Sequence, residues 1–212
     1  MQLLGNAFAG LLISDRWSAY NFVATAMRQL CWSHLARDFK AFADHGPRAK
    51  ALSIKLGSLV NTMFHHWHRV RDGTLSRAQF QDLMKPVQTD IEAALLEGTS
   101  IPSIARKCRG IVKLQCALWT FVRVQGVEPT NNHAERVVRH PVLWRKGSFG
   151  TDSPNGSRFV ERILTVVTTL RLQDRNVLDY VTAACADALW GREPASLLPA
   201  HLRVAPVPSA AA

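Results

Sequence analysis

Residues 7–13, Ala-Phe-Ala-Gly-Leu-Leu-Ile, form an almost continuous apolar stretch that ends at Ser14 and Asp15. A short run of this kind is typical of a strand that is buried on both faces, as in a parallel sheet. The spacing of apolar side chains from about 18 to 28 predicts a crossover helix, and a second short strand is expected at about 29 to 32. Strand, helix and strand together predict a parallel unit with Asp15 at the carboxyl end of its first strand.

After Cys31 the sequence is dominated by amphipathic helical patterns, which indicates a helical insertion in an α/β fold. We expect helices at about 34–44, 49–70, 76–96 and 101–125. A helix from about 132 is expected to end near His140, because a proline disfavours helical backbone in the residue before it. Two further helices are expected at about 157–172 and 176–190. The predicted fold class is therefore α/β and predominantly helical.

These patterns divide the chain into four predicted parts. The first part of an α/β core is expected at 1–32, an all-α insertion at 33–126 and the second part of the core at 127–190. The last part, 191–212, contains prolines and terminal alanines but little hydrophobic periodicity, which is typical of a flexible tail.

The charge of the chain favours a polyanionic partner. The formal net charge of the 212 residues is +10. The excess is localised, because residues 101–175 contain 13 lysines and arginines but only 5 acidic residues. A basic face of this kind is typical of nucleic-acid binding. A solvated surface that keeps the protein soluble is the alternative interpretation.

The cysteine pattern and the hydropathy predict a cytoplasmic protein. The four cysteines show neither a Cys-x-x-Cys pair nor the density of a disulfide-rich domain, which fits a reducing compartment. No apolar run approaches the roughly 18 residues that a membrane-spanning helix requires. The first residues lack the basic segment of a signal peptide. We therefore expect no membrane partner.

Two carboxylates are candidates for chemistry, and each has a structural alternative. Asp15 follows a parallel strand, where α/β sheets place ligands, but it could equally cap a helix that begins near Ser18. Glu135 lies three residues after Asn132, which is the spacing of a capping box, and Arg139 is a possible ion-pair partner four residues further on. As a pair, the two carboxylates could ligate one hard divalent cation. Their spacing alone does not decide between these interpretations.

Two histidine-containing segments invite a metal interpretation. In Cys31-Trp32-Ser33-His34, a cysteine and a histidine lie three residues apart, but a zinc site needs two more ligands and the sequence offers none with suitable spacing. The segment His65-His66-Trp67-His68 lies in a long amphipathic pattern, which favours a partly exposed aromatic face over a metal site.

Several motifs in a fixed order resemble transposases of the insertion sequence 66 family. They are Ile13-Ser14-Asp15, Trp17-Ser18-Ala19-Tyr20, Cys31-Trp32-Ser33-His34-Leu35-Ala36-Arg37-Asp38-Phe39, Thr130-Asn131-Asn132-His133-Ala134-Glu135-Arg136 and Arg145-Lys146. The resemblance extends from about residue 4 to about residue 185. It implies a DDE-type transposase with a ribonuclease-H-like core, here its last two parallel strands plus helices, interrupted by the all-α insertion. It also implies metal-dependent phosphoryl transfer on DNA with Mg²⁺ or Mn²⁺.

The resemblance assigns roles to individual residues. Asp15 and Glu135 correspond to the second and third acids of the catalytic triad and would ligate the metal. Cys31 and His34 correspond to a Cys-x-x-His element. Together with Asn131 and Asn132, these two residues are expected to support the site. The basic residues expected to neutralise DNA phosphates, unless they form only a solvated stripe, are Arg136, Arg139, Arg145 and Lys146.

The first acid of the triad should lie on a strand well upstream of Asp15, but only 14 residues precede Asp15 here. We therefore expect a carboxy-terminal part of a transposase that is inactive alone and binds metal only in a completed site. Its expected partners are transposon-end and target DNA, and a full-length transposase or an upstream fragment, at the nucleoid of a bacterial cytoplasm. One alternative is a DNA-binding or interaction module that modulates a full-length enzyme. A helical protein with no nucleic-acid role is another.

Overall fold

The computed structural model describes residues 8–199. Most of these residues are helical, and two short strands form one parallel sheet. This confirms the prediction of a mostly helical chain with a parallel pair of strands. The chain forms two compact units, a first that ends at Ala134 and a second that begins at Glu135. The four predicted parts stay a prediction, and most of the predicted tail, 200–212, lies outside the described residues.

The sheet consists of β1, Leu12–Ser14, and β2, Arg28–Leu30. In its register Leu12 pairs with Arg28, and Ser14 pairs with Leu30. The first strand is shorter than the predicted run from residue 7, which itself begins outside the described residues. Since β2 offers only three residues for pairing, the strand conformation of β1 is confined to the three that face it.

The predicted crossover helix is wrong. The connection between the strands contains two short 3-10 turns, Ser18–Tyr20 and Thr25–Met27. Aromatic, β-branched and asparagine residues between 20 and 25 have low helix propensity, and a segment of this length is marginal as a helix. Val23 is the one buried side chain between residues 16 and 27, so little core packing favours a regular helix there.

Five helices complete the first unit. They are α1, Trp32–Ala41; α2, Pro47–Arg71; α3, Arg77–Gly98; α4, Pro102–Val112; and α5, Thr120–Arg123. The helix starts follow the sequence signals, with Pro47 in the first turn of α2 and a capping box between Ser76 and Gln79 at α3. One hydrophobic core runs from Leu30 of β2 through these helices to Val127. The insertion therefore shares one hydrophobic core with β2 and does not form a separate core.

The single helix predicted at 101–125 is broken. After α4, a 3-10 turn at Gln115–Leu118 leads into the four-residue α5. Backbone groups in this segment bond to buried side chains of β2 and α1, including Gln29 and Trp32. Those tertiary hydrogen bonds replace the helical ones that the local pattern predicts.

Helix α6, Asn132–Ser148, begins in the last three residues of the first unit and continues into the second. The second unit also contains α7, Pro154–Leu172, and α8, Val177–Leu189. The side chains of Ser153 and Asn176 cap α7 and α8. The predicted end of α6 near His140 is wrong, because the helix continues through Pro141. The helical hydrogen bonds before and after Pro141 offset the one that is lost because proline has no N–H group. Since α6 has no buried side chain, water can reach the freed carbonyl group.

Within residues 8–199, no helix combines the length and the apolar content that crossing a membrane requires.

A glycine at the end of α3 allows three helices to approach closely. A Cβ atom at Gly98 would lie 2.5 Å from Cys108 Sγ and 2.9 Å from Leu52 Cδ2. We expect Gly98→Ala to lower the free energy of unfolding by about 1–3 kcal/mol, because the crowded atoms must move. Gly110→Ala in α4 is the control, since a Cβ there meets nothing within 4 Å. It should raise stability by about 0.5–1 kcal/mol in urea denaturation. Equal effects of the two substitutions would contradict this packing.

Candidate active site

Asp15 follows β1 directly and is half-buried. Its Oδ1 accepts a hydrogen bond from the Trp17 N–H group at 3.0 Å. The 3-10 turn that begins at Ser18 has no side-chain cap, so Asp15 does not cap it. Because a carboxylate has two oxygens and about four acceptor positions, the bond to Trp17 leaves capacity for a cation.

The strand pairing continues one residue beyond β2 and places Cys31 beside the end of β1. The Cys31 N–H group donates to the Ser14 carbonyl oxygen at 2.8 Å. Cys31 is buried with a free thiol at the residue before α1, and His34 lies in the first turn of that helix. The structure therefore brings Asp15 and the Cys-x-x-His element to the same end of the sheet.

The first residues of the motif, 130–132, follow a segment that returns to this point after the insertion. The Trp32 N–H group, the first of α1, donates to the Pro129 carbonyl oxygen at 2.9 Å. The first N–H groups of a helix have no partner within the helix, so this bond satisfies a group that would otherwise need a cap. It brings residues 130–132 to the amino end of α1, next to Cys31.

Asn131 carries an unusual polar atom. Its side-chain oxygen Oδ1 is buried and has no hydrogen-bond partner within residues 8–199. Buried polar atoms are nearly always paired, and an unpaired one costs about 1–3 kcal/mol. An amide oxygen is also a ligand that hard divalent cations accept, directly or through water. The donor set at this end of the first unit, a carboxylate and an amide oxygen, therefore fits such a cation.

Arg28 is a charged residue of the site that the sequence pattern did not reveal. Its side chain is 1% exposed, and its guanidinium lies 3.5 Å from the Asp15 carbonyl oxygen and 3.4 Å from Asn21 Oδ1. Burial lowers the pKa of Arg28, and the nearby Asp15 carboxylate opposes that shift. The buried cation and the Asp15 carboxylate therefore carry opposite charges close together.

A second residue missed by sequence reasoning, Gln29, fixes the returning segment. Its Nε2 donates to the Leu118 carbonyl oxygen at 3.1 Å, and its Oε1 accepts from the Phe121 N–H group at 2.8 Å. The Trp32 indole N–H donates to the same Leu118 oxygen at 2.8 Å. We call these contacts of Gln29 and Trp32 with residues 118–121 the Gln29 clamp. It holds the chain just before it enters the motif.

Arg77 of α3 holds the other side of the same segment. Its guanidinium donates to the carbonyl oxygens of Phe121 and Val122 and, at 3.0 Å, to that of Val124. It also lies over the rings of Trp67 and Phe80, 5.9 and 5.5 Å from their centroids. Burial lowers the pKa of Arg77. The segment is therefore fixed from both sides, by β2 and by α3.

Glu135 lies in the first turn of α6. The basic residues predicted to contact DNA are all exposed on that helix. One face of the helix carries Arg136, Arg139 and Lys146, because their spacings of three and then seven residues match the helical repeat. Arg145 lies on another side. The helix thus presents a row of three cations to solvent.

In the other histidine segment, a tryptophan faces the core. Trp67 is buried and packs on Phe80 and Phe121, with ring centroids 5.8 and 5.5 Å apart. Burial lowers the pKa of the neighbouring His66. In the part of the chain that the structure describes, no three histidine, cysteine or acidic side chains lie close enough together to hold a metal ion.

The chain matches a family model of transposases over residues 1–158, a span that contains Asp15, the Cys-x-x-His element and the motif at 130–136. It belongs to the IS66 family of transposases. No curated protein and no solved structure matches it.

The Gln29 clamp can be tested by removing the side-chain amide. Gln29→Ala leaves the buried Phe121 N–H group without its partner, so we expect a loss of about 1–3 kcal/mol in the free energy of unfolding. Tryptic cleavage after Arg123 should also become faster, because the returning segment is released. The control is Gln125→Ala at an exposed position of the same segment, which should change neither measurement. Unchanged stability and cleavage in Gln29→Ala would show that the clamp is dispensable.

Proposed function

We propose that the chain is the part of a DDE-type transposase that carries the second and third catalytic acids, on a ribonuclease-H-like core interrupted by the helical insertion. The reaction is metal-dependent phosphoryl transfer that breaks and joins DNA strands. One observation carries the proposal. In a chain of the transposase family, successive backbone bonds of Cys31 and Trp32 bring the strand end with Asp15 and the motif at 130–132 to one end of α1.

Asp15 and Glu135 are the proposed ligands of a divalent cation, Mg²⁺ or Mn²⁺. Mg²⁺ in proteins is usually held by one or two carboxylates, with water and substrate phosphates as the other ligands. When bound, such a cation polarises the phosphoryl oxygens and stabilises the charge that develops on the attacking and leaving oxygens. The Asn131 amide oxygen, a buried acceptor without a partner in residues 8–199, supports a ligand at this point.

The remaining residues position these acids and the DNA. The hydrogen bond from the Trp17 N–H group orients the Asp15 carboxylate, and the buried guanidinium of Arg28 lies beside the Asp15 backbone. Cys31, His34, Asn131 and Asn132 support the site from α1 and from the motif. The exposed cations of α6 neutralise DNA phosphates.

The acid that completes the triad is proposed to come from polypeptide upstream of Asp15 or from a separate chain. The 212 residues alone are then expected to bind DNA without cleaving it. Without that acid the site is incomplete, so a cation is expected to bind only after the upstream polypeptide is supplied.

The metal proposal predicts a specific effect of two conservative substitutions. Asp15→Asn and Glu135→Gln each remove a carboxylate charge, and we expect at least about a tenfold loss of Mn²⁺ affinity. Free Mn²⁺ is measured by electron paramagnetic resonance during titration of the chain together with the upstream polypeptide. Asp44→Asn, at an exposed position of the insertion, is the control and should bind Mn²⁺ like the unchanged chain. Wild-type affinity in both site variants would contradict the proposed ligands.

DNA binding distinguishes this proposal from the alternative of a module that modulates a full-length transposase. The affinity of the chain for duplex DNA should fall steeply with salt, and both site variants should retain it. Supplying the upstream polypeptide should then yield Mg²⁺-dependent cleavage that both substitutions abolish. DNA binding without Mn²⁺ binding and without reconstituted cleavage would favour the module. Failure to bind DNA at low salt would exclude both functions.

A further inference from the structure

The loop after β1 presents an aromatic ring to solvent beside Asp15. The Trp17 side chain is 63% exposed, whereas the tryptophans of the core are at most 6% exposed. Asp15 Oδ1 accepts a hydrogen bond from the Trp17 N–H group. The Trp17 ring contacts the Tyr20 ring edge to face, with centroids 5.8 Å apart and planes at 87°. The ring is therefore exposed and also fixed in orientation.

The surroundings of Trp17 favour a flat apolar ligand over a charged one. Phe22 and Met27 of the same connection are 45% and 38% exposed, so this connection presents three large apolar side chains to solvent. The cation next to it in sequence, Arg16, is already paired with Asp38 of α1. The loop thus offers a planar π-surface and little free positive charge for phosphate contacts.

The proposed function places DNA at this loop. Asp15 and Trp17 are two positions apart in the chain, so their Cα atoms lie at most about 7 Å apart. That span corresponds to about two stacked nucleotides at roughly 3.4 Å each. A DNA strand whose phosphate is bound near Asp15 therefore has its next bases within reach of the Trp17 ring. The net charge of +10 is complementary to such a ligand.

We propose that Trp17 is a stacking platform for one unpaired DNA base next to the phosphate bound near Asp15. In the interior of a duplex both faces of a base are covered by its neighbours, so an indole can stack only on a base that has left the helix. The chain should therefore prefer DNA with an opened base pair over fully paired DNA. This inference rests on the proposed function, since it requires DNA at Asp15.

The test compares two DNA duplexes that differ in one interior base pair. One is fully paired, and the other carries an unpaired 2-aminopurine, whose fluorescence falls when it stacks. We expect the unchanged chain to quench this fluorescence and to bind the opened duplex more tightly. Trp17→Ala should abolish the quenching and weaken binding of the opened duplex by about 5- to 150-fold, since one stacked base contributes about 1–3 kcal/mol. Its affinity for the paired duplex should change less than about twofold.

Three variants complete the experiment. Trp17→Phe should retain most of the quenching, because it keeps an aromatic face, and Trp17→Gln should behave like Trp17→Ala. Trp190→Ala removes a tryptophan that is 77% exposed in the second unit and should leave both duplexes bound as before. A thermal melt establishes that each variant is folded.

The possible outcomes separate this inference from the function on which it rests. If the chain binds both duplexes and neither Trp17→Ala nor Trp17→Gln alters quenching or affinity, stacking is overturned and DNA binding stands. If the chain binds neither duplex, the proposed function fails and the stacking platform fails with it. Loss of binding to both duplexes in the two variants would identify Trp17 as a general DNA contact and would also overturn the preference for an unpaired base.

Discussion

The hydrogen bonds of the Gln29 side chain join the two ends of the helical insertion. Gln29 is fully buried, and its amide bonds to backbone groups of Leu118 and Phe121, about 90 residues further along the chain. Both ends of the amide are paired inside the protein, where an unpaired polar group is costly. A second bond to β2 reinforces the clamp, because the Thr120 hydroxyl donates to the Arg28 carbonyl oxygen. Together these bonds fix the segment that leads to Pro129. The contact between Trp32 and Pro129, and with it the candidate site, depends on that segment.

The insertion itself supports this closure. Trp67 and Phe80 of the insertion pack on each other and on Phe121 of the returning segment. Closing a long loop costs conformational entropy, although the cost grows slowly with length. The packing free energy of the folded insertion offsets this entropy, so the segment before the motif is held in place. The helices between the acids thereby contribute to the site without carrying a catalytic group.

The sequence predicted the elements whose signals are local. The apolar run before Asp15 and the long periodicities of α2 and α3 indicated one parallel strand pair and two long helices. The predicted crossover helix, the single helix at 101–125 and the end of α6 near His140 were wrong, because tertiary contacts or solvent decide these features. Gln29 and Arg77 were missed for the same reason, since nothing near them in sequence shows which carbonyl groups they will meet. Only the structure shows that the segments carrying Asp15, Cys31 and Asn131 lie at the same end of α1. The metal role of Glu135 stays a prediction.

The central claim is that the strand end with Asp15 and the motif at 130–132 meet at the start of α1. Hydrogen exchange of the Trp32 amide tests it most directly, because the first amide of a helix has no helical partner and is protected here by Pro129. We expect this amide to exchange at least about a hundredfold more slowly than that of Asn155 in the exposed first turn of α7. Equal exchange rates for the two amides, in a chain whose core amides remain protected, would contradict the account.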